Sequence, residues 1–158
     1  RLALLAACAA LLPLTAARGP TPDEQLAVEV DEDTFPSTVE MSPNVWVVKF
    51  SHPQCETCKE FEPHWNKVVH GMSSDLKFAK VSVASPKGKA LAKKLGALQD
   101  GLPNVRIFNL ETPKATVVNG KMAKAELVMQ SIHKKTRHLS ERDEEGKLLG
   151  PGRAKAEL

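Results

Sequence analysis

A run of β-branched and aromatic residues, Val45-Trp-Val-Val-Lys-Phe50, leads within five positions into Cys55-Glu-Thr-Cys58. This junction constrains the fold more than any other part of the chain. The run is apolar at nearly every place instead of alternating, as a central strand covered on both faces must be. Beyond the cysteines, Phe61, Trp65, Val68, Val69 and Met72 recur at the spacing of one helical face. The chain must therefore turn from strand to helix where the cysteines stand, and the helix should end at Gly71 or just beyond. Pro63 falls inside that helix and is expected to kink it.

A cysteine at a helix N-terminus feels the positive end of the helix dipole and unpaired backbone N–H groups, so its thiolate is stabilised. That residue is Cys55. Cys58, one turn further in, is more buried and placed to attack a mixed disulfide on Cys55. The third cysteine, Cys8, lies in a leader-like segment, which leaves Cys55 and Cys58 as a lone vicinal pair. Two plainer readings compete. A purely structural disulfide would close too small a loop to stabilise much. Zinc would need His52 or His64 as further ligands, and His64 sits along a helix leading away from the cysteines. We therefore expect no metal. His70, His133 and His138 are expected on solvated faces, and Trp46 and Trp65 in the core.

The remaining segments alternate. Leu26–Val30 reads as a short strand, with Asp31–Thr34 offering caps for a short helix toward Met41. Lys77–Val83 reads as a strand, and Pro86–Leu95 as a helix with Leu91 and Leu95 inward and Gly96 as its cap. Val105–Asn109 and Ala115–Val118 read as strands, and Ala123–Lys135 as a last helix burying Val128 and Ile132. The order predicts an α/β fold, a mixed central sheet with helices on both faces.

Residues 1–17, a basic residue followed by an apolar run broken by Pro13, have the layout of a secretory signal peptide. The run is short for a bilayer span, so an uncleaved anchor is the weaker reading, and no membrane span is expected after cleavage. Residues 18–25 read as a flexible lead-in and 136–158 as a charged, largely disordered tail. With a net charge of only +3 and no basic stretch interleaved with aromatics, nucleic acid is not an expected partner.

The element order, the Cys-x-x-Cys opening the second helix, Pro63 five residues past Cys58, and Leu102-Pro103 just before a strand together resemble a thioredoxin domain, over about Leu26–Lys135. Within that superfamily, Val45–Lys67 looks most like the catalytic domain of a protein disulfide isomerase. The resemblance implies thiol–disulfide exchange, with Cys55 and Cys58 as catalytic pair, bridged by a disulfide when oxidised. It also implies a cis Leu102–Pro103 bond whose backbone meets an extended substrate. The implied partners are client polypeptides with thiols or disulfides and glutathione or another redox partner; no cofactor is implied.

Four departures bear on redox tuning. Gln54 precedes the first cysteine, and Glu56 and Thr57 stand where isomerases carry Gly and His. Loss of the His cation and gain of the Glu56 anion should raise the Cys55 pKa and make the pair a weaker oxidant. Lys49 occupies the place of a buried family carboxylate that moves a proton for the second cysteine. An ammonium there would favour a Cys58 thiolate, or would snorkel away. Lys121 falls near a family loop Arg that approaches the site. The terminal Lys155-Ala-Glu-Leu158 resembles a retrieval signal, which with the leader implies the endoplasmic reticulum lumen, secretion being the alternative. The competing function is a weakly catalytic or non-catalytic client-binding module of the same fold.

Overall fold

The computed structural model describes residues 26–110 and 115–136. The expected signal peptide, lead-in, tail and retrieval terminus, with His138, lie outside the described residues. Five strands are formed among the described residues: β1 (Ala27–Glu29), β2 (Trp46–Ser51), β3 (Lys77–Ser82), β4 (Asn104–Phe108) and β5 (Ala115–Asn119). Three α-helices accompany them: α1 (Glu56–Met72), α2 (Pro86–Lys94) and α3 (Ala125–Thr136). The sheet order is β1-β3-β2-β4-β5. β1 and β2 run parallel to β3, whereas β4 runs antiparallel to both β2 and β5. The sheet is thus mixed, with β2 in its centre.

Alternation along β2 explains both its composition and what covers it. Val47 faces a core built with Phe61, Trp65, Val68, Val69 and Met72 of α1 and Val128 and Ile132 of α3. Trp46, Val48 and Phe50 face a second core with Leu91 and Ala92 of α2 and with Phe35 and Val39. A strand buried on both faces has no use for polar alternation, which is why the run reads as continuously apolar. Lys49 lies on the same side as Val47, beneath α1, and this decides its partner.

The helix expected between Asp31 and Met41 is a five-residue π-helix, Pro36–Glu40. The capping expected of Asp31 occurs at the turn before it: Asp31 Oδ1 accepts from the backbone N–H groups of Asp33 and Thr34 and from the Thr34 hydroxyl. At its far end, Asn109 Nδ2 donates to the carbonyls of Val39, Ser42 and Asn44, which ties this turn to the end of β4. Pro63 sits inside α1 without ending it. Ser85 caps α2 by accepting from the Gly88 N–H at 3.0 Å, with Pro86 at the first turn. Leu91 is buried, Leu95 is partly buried against the same core, and Val128, Ile132, Trp46 and Trp65 are all buried. Among the described residues no helix is long and apolar enough to cross a membrane.

Candidate active site

The cysteines stand where β2 gives way to α1, at the C-terminal end of the central strand. Cys55 is the N-cap of α1, with φ −85° and ψ 116°. Its Sγ accepts the Cys58 backbone N–H at 3.2 Å, so a sulfur occupies the place where helices usually carry a serine or aspartate oxygen. Cys55 and Cys58 are joined in a disulfide, their Cα atoms 5.2 Å apart. Cys55 is partly exposed, whereas Cys58 is 4% exposed. One sulfur can be reached from solvent and the other is held behind it.

Thr57 is more than a replacement for a missing cation. Its Oγ1 is 3.2 Å from Cys55 Sγ and 3.3 Å from the Leu102 carbonyl oxygen. A hydroxyl has one proton, so it can donate to the sulfur or to the carbonyl but not fully to both. Once the pair is reduced, a thiolate on Cys55 is the stronger acceptor, and the hydroxyl offsets part of what the absent His would supply. Thr57→Val should then lower the reduction potential by about 30 mV, one hydrogen bond to a charged group. Thr57→His should raise it, the imidazolium stabilising the thiolate more strongly. Equilibration with glutathione buffers reads both values. A wild-type potential matched by Thr57→Val would mean the hydroxyl serves only Leu102.

The Leu102 carbonyl is brought beside Cys55 and Thr57. The Leu102–Pro103 bond is cis, Pro103 is buried and Leu102 partly so. Cys55 Sγ lies 3.9 Å from the Leu102 carbonyl oxygen. This loop is clamped from β5: the Gly120 N–H donates to the Pro103 carbonyl at 2.8 Å. Gly101 and Gly120 have φ of +88° and +69°, and a Cβ on either would come within 3.1 Å of the other's Cα. Both the positive φ and the close approach require glycine. Lys121 follows directly, exposed, in the loop before α3.

Lys49 does not snorkel away. It is 2% exposed, its Nζ 2.5 Å from Glu62 Oε2 and 5.2 Å from the centre of the Trp65 ring. Burial pushes its pKa down, and the Lys80 charge adds to that; the hydrogen bond and charge of Glu62 push it back up. Lys80 is its register partner on β3. Glu62 was not legible as a site residue in the sequence, where it is one of several glutamates on a polar helix face. A lysine embedded in a doubly buried strand was the available signal, because a buried charge requires a partner.

Gln54 and Glu56 are exposed. The Gln54 backbone N–H donates to His52 Nδ1 at 3.1 Å. Glu56 forms an ion pair with Lys59 at 3.1 Å, both side chains mostly exposed, so its charge acts on Cys55 partly neutralised. An open cavity of about 390 Å³ runs along this side, lined by Ser51, His52, Pro53, Cys58, Lys59, Glu62 and Ser82. His52 and His64 do not complete a ligand set with the cysteines: among the described residues, no three His, Cys, Asp or Glu side chains gather to hold a metal. His70 and His133 are exposed.

The sequence profile of the family described as Thioredoxin matches residues 26–134. The chain belongs to the thioredoxin family. Among thioredoxin-family relatives, it is 33% identical to protein disulfide-isomerase A6 of Mus musculus over 94 residues, 58% of this chain and 21% of that protein. The protein disulfide-isomerase A6 homolog of Caenorhabditis elegans is 26% identical over 131 residues, 83% of this chain and 29% of that protein. The chain therefore spans less than a third of the length of these curated relatives. The solved Trx4 domain of ERdj5 aligns with a TM-score of 0.59 at 21% identity, covering 72% of this chain and 98% of that one. It shares the thioredoxin fold.

Proposed function

We propose that this chain is a thiol–disulfide oxidoreductase domain of the protein disulfide isomerase kind, acting on client polypeptides. Cys55 is the attacking residue and Cys58 the resolving one. The asymmetry of the pair carries the reading: a partly exposed cysteine at a helix N-cap, and a cysteine 4% exposed one turn behind it. Such an arrangement lets one thiolate meet a client while the other is reserved for an intramolecular attack. The disulfide isomerase names of the relatives support it. Leu102 and Pro103 form the strip beside Cys55 against which an extended client segment lies, and Lys121 borders it. Glutathione or a protein dithiol returns the pair to its working form. That chemistry suits an oxidising compartment such as the endoplasmic reticulum lumen.

In reduction of a disulfide-bonded test protein in the presence of glutathione, wild type should show weak exchange that Cys55→Ala abolishes. The rate is expected to be modest because no His stands between the two cysteines. Wild type indistinguishable from Cys55→Ala, with both suppressing client aggregation, would replace the enzyme by a client-binding module.

A further inference from the structure

Glu62 lies one helical turn beyond Cys58, on the same face of α1. Both line the same open cavity. Glu62 is also the partner of the buried Lys49 ammonium. We propose that Glu62 is the proton acceptor for Cys58, its carboxylate positioned by Lys49 and reached through water in that cavity. The inference rests on the exchange reading above and assigns within it a residue that the cysteine motif does not name.

In a mixed disulfide between Cys55 and a client, the Cys58 thiol gives its proton to the Glu62 carboxylate. The thiolate attacks Cys55 Sγ, the Cys55–Cys58 bond forms, and the bond from Cys55 to the client sulfur breaks. The electron pair leaves with the client thiolate, so the client is reduced and the pair oxidised. The proton on Glu62 then returns to solvent or to the departing thiolate through the cavity.

Cys58 needs such help because it is buried, which disfavours its charged form. The charged and titratable groups around it favour a carboxylate at this place. Lys49 on β2 and Lys80 on β3 are register partners; Lys59 lies on α1 and His52 on the loop before it, both lining the cavity. Glu62 is the one carboxylate among the cavity's lining residues, and Glu56 is paired with Lys59. When its proton arrives from Cys58, the negative charge moves from one side chain to the other. The net charge of the cluster is unchanged, so the buried ammonium keeps a counter-charge within it. Half of the Glu62 side chain, 49%, remains exposed, which leaves the proton a route out.

The test follows the Cys55–glutathione adduct formed when the reduced protein meets glutathione disulfide, with acid quenching and mass detection. Glu62→Gln should slow loss of the adduct about tenfold or more at pH 7, a fraction of the roughly 10²–10⁴ that general-base help supplies. The deficit should shrink as pH rises toward about 10, where the thiol ionises unaided. Glu62→Asp should recover part of the rate. Lys49→Met, which leaves the carboxylate but removes its anchor, should slow it less than Glu62→Gln. Thermal unfolding of each variant separates misfolding from chemistry, and a misfolded Glu62→Gln leaves the Glu62→Asp and Lys49→Met rates to decide. If wild type loses its adduct through Cys58 and Glu62→Gln does so equally fast, or if the deficit is the same at every pH, the proposal is overturned. Failure of the exchange reading looks different, because wild type would then form no adduct at Cys55.

Discussion

Cys58→Ala is expected to accumulate mixed disulfides with clients, while Cys55→Ala is expected to form none. The difference should be nearly all-or-none on non-reducing gels after acid quenching. Cys55 is the partly exposed cysteine whose sulfur receives the Cys58 N–H, so a client disulfide can approach it and it attacks as a stabilised thiolate. Removing Cys58 takes away the neighbour that would release the client, and the adduct then persists until an outside thiol arrives. Removing Cys55 leaves Cys58, which is 4% exposed in the intact domain and is expected to stay out of a protein disulfide's reach. Comparable adducts from both variants would reverse or dissolve the assignment of roles.

Trp65→Ala is expected to have the largest effect on stability. The ring is 2% exposed in the core between α1 and the sheet, packs edge-on against Phe78 with centroids 5.7 Å apart, and lies against the Lys49 ammonium. Truncating a large buried aromatic costs about 3–5 kcal/mol through lost transfer energy and the cavity left behind. Here the loss also exposes a charge to a void, so the upper half of that range is expected. Small domains hold only about 5–15 kcal/mol in total, so the variant should unfold at a much lower urea concentration. The urea midpoint and its slope measure this. A loss below about 1 kcal/mol would mean the ring is not part of the core that holds α1 on the sheet.

Most of the scaffold was legible because it follows from burial on defined faces. The continuous run at Trp46–Phe50 reads as a strand covered on both sides, and the Phe61, Trp65, Val68, Val69, Met72 stripe reads as one face of α1; each residue is buried as that pattern requires. The same logic could not reach Glu62. A glutamate on a half-exposed helix face looks like any solvated residue, and its role depends on which way Lys49 points from a strand distant in sequence. The Thr57 contact with Leu102 was hidden for a similar reason, since it joins positions 45 residues apart. The short π-helix at Pro36–Glu40 differs from the ordinary helix expected, and its end is held by Asn109, a tertiary anchor outside any local pattern. Lys49 was legible as an anomaly, though not in its outcome.

The hydrogen bonds on Cys55 Sγ also tie the redox couple to the folding equilibrium. In the unfolded chain the two cysteines are an ordinary local dithiol, since neither the helix N-cap nor the Leu102 carbonyl is there to distinguish them. Folding, reduction, unfolding and reoxidation close a thermodynamic cycle. Any displacement of the folded couple from the unfolded peptide's potential must therefore reappear as a difference in stability between the reduced and oxidised proteins, about 1.4 kcal/mol for every 30 mV. The N–H of Cys58 and the hydroxyl of Thr57 reward a thiolate more than a bridged sulfur. They therefore make the reduced domain more resistant to unfolding by the same amount that they make the disulfide easier to reduce.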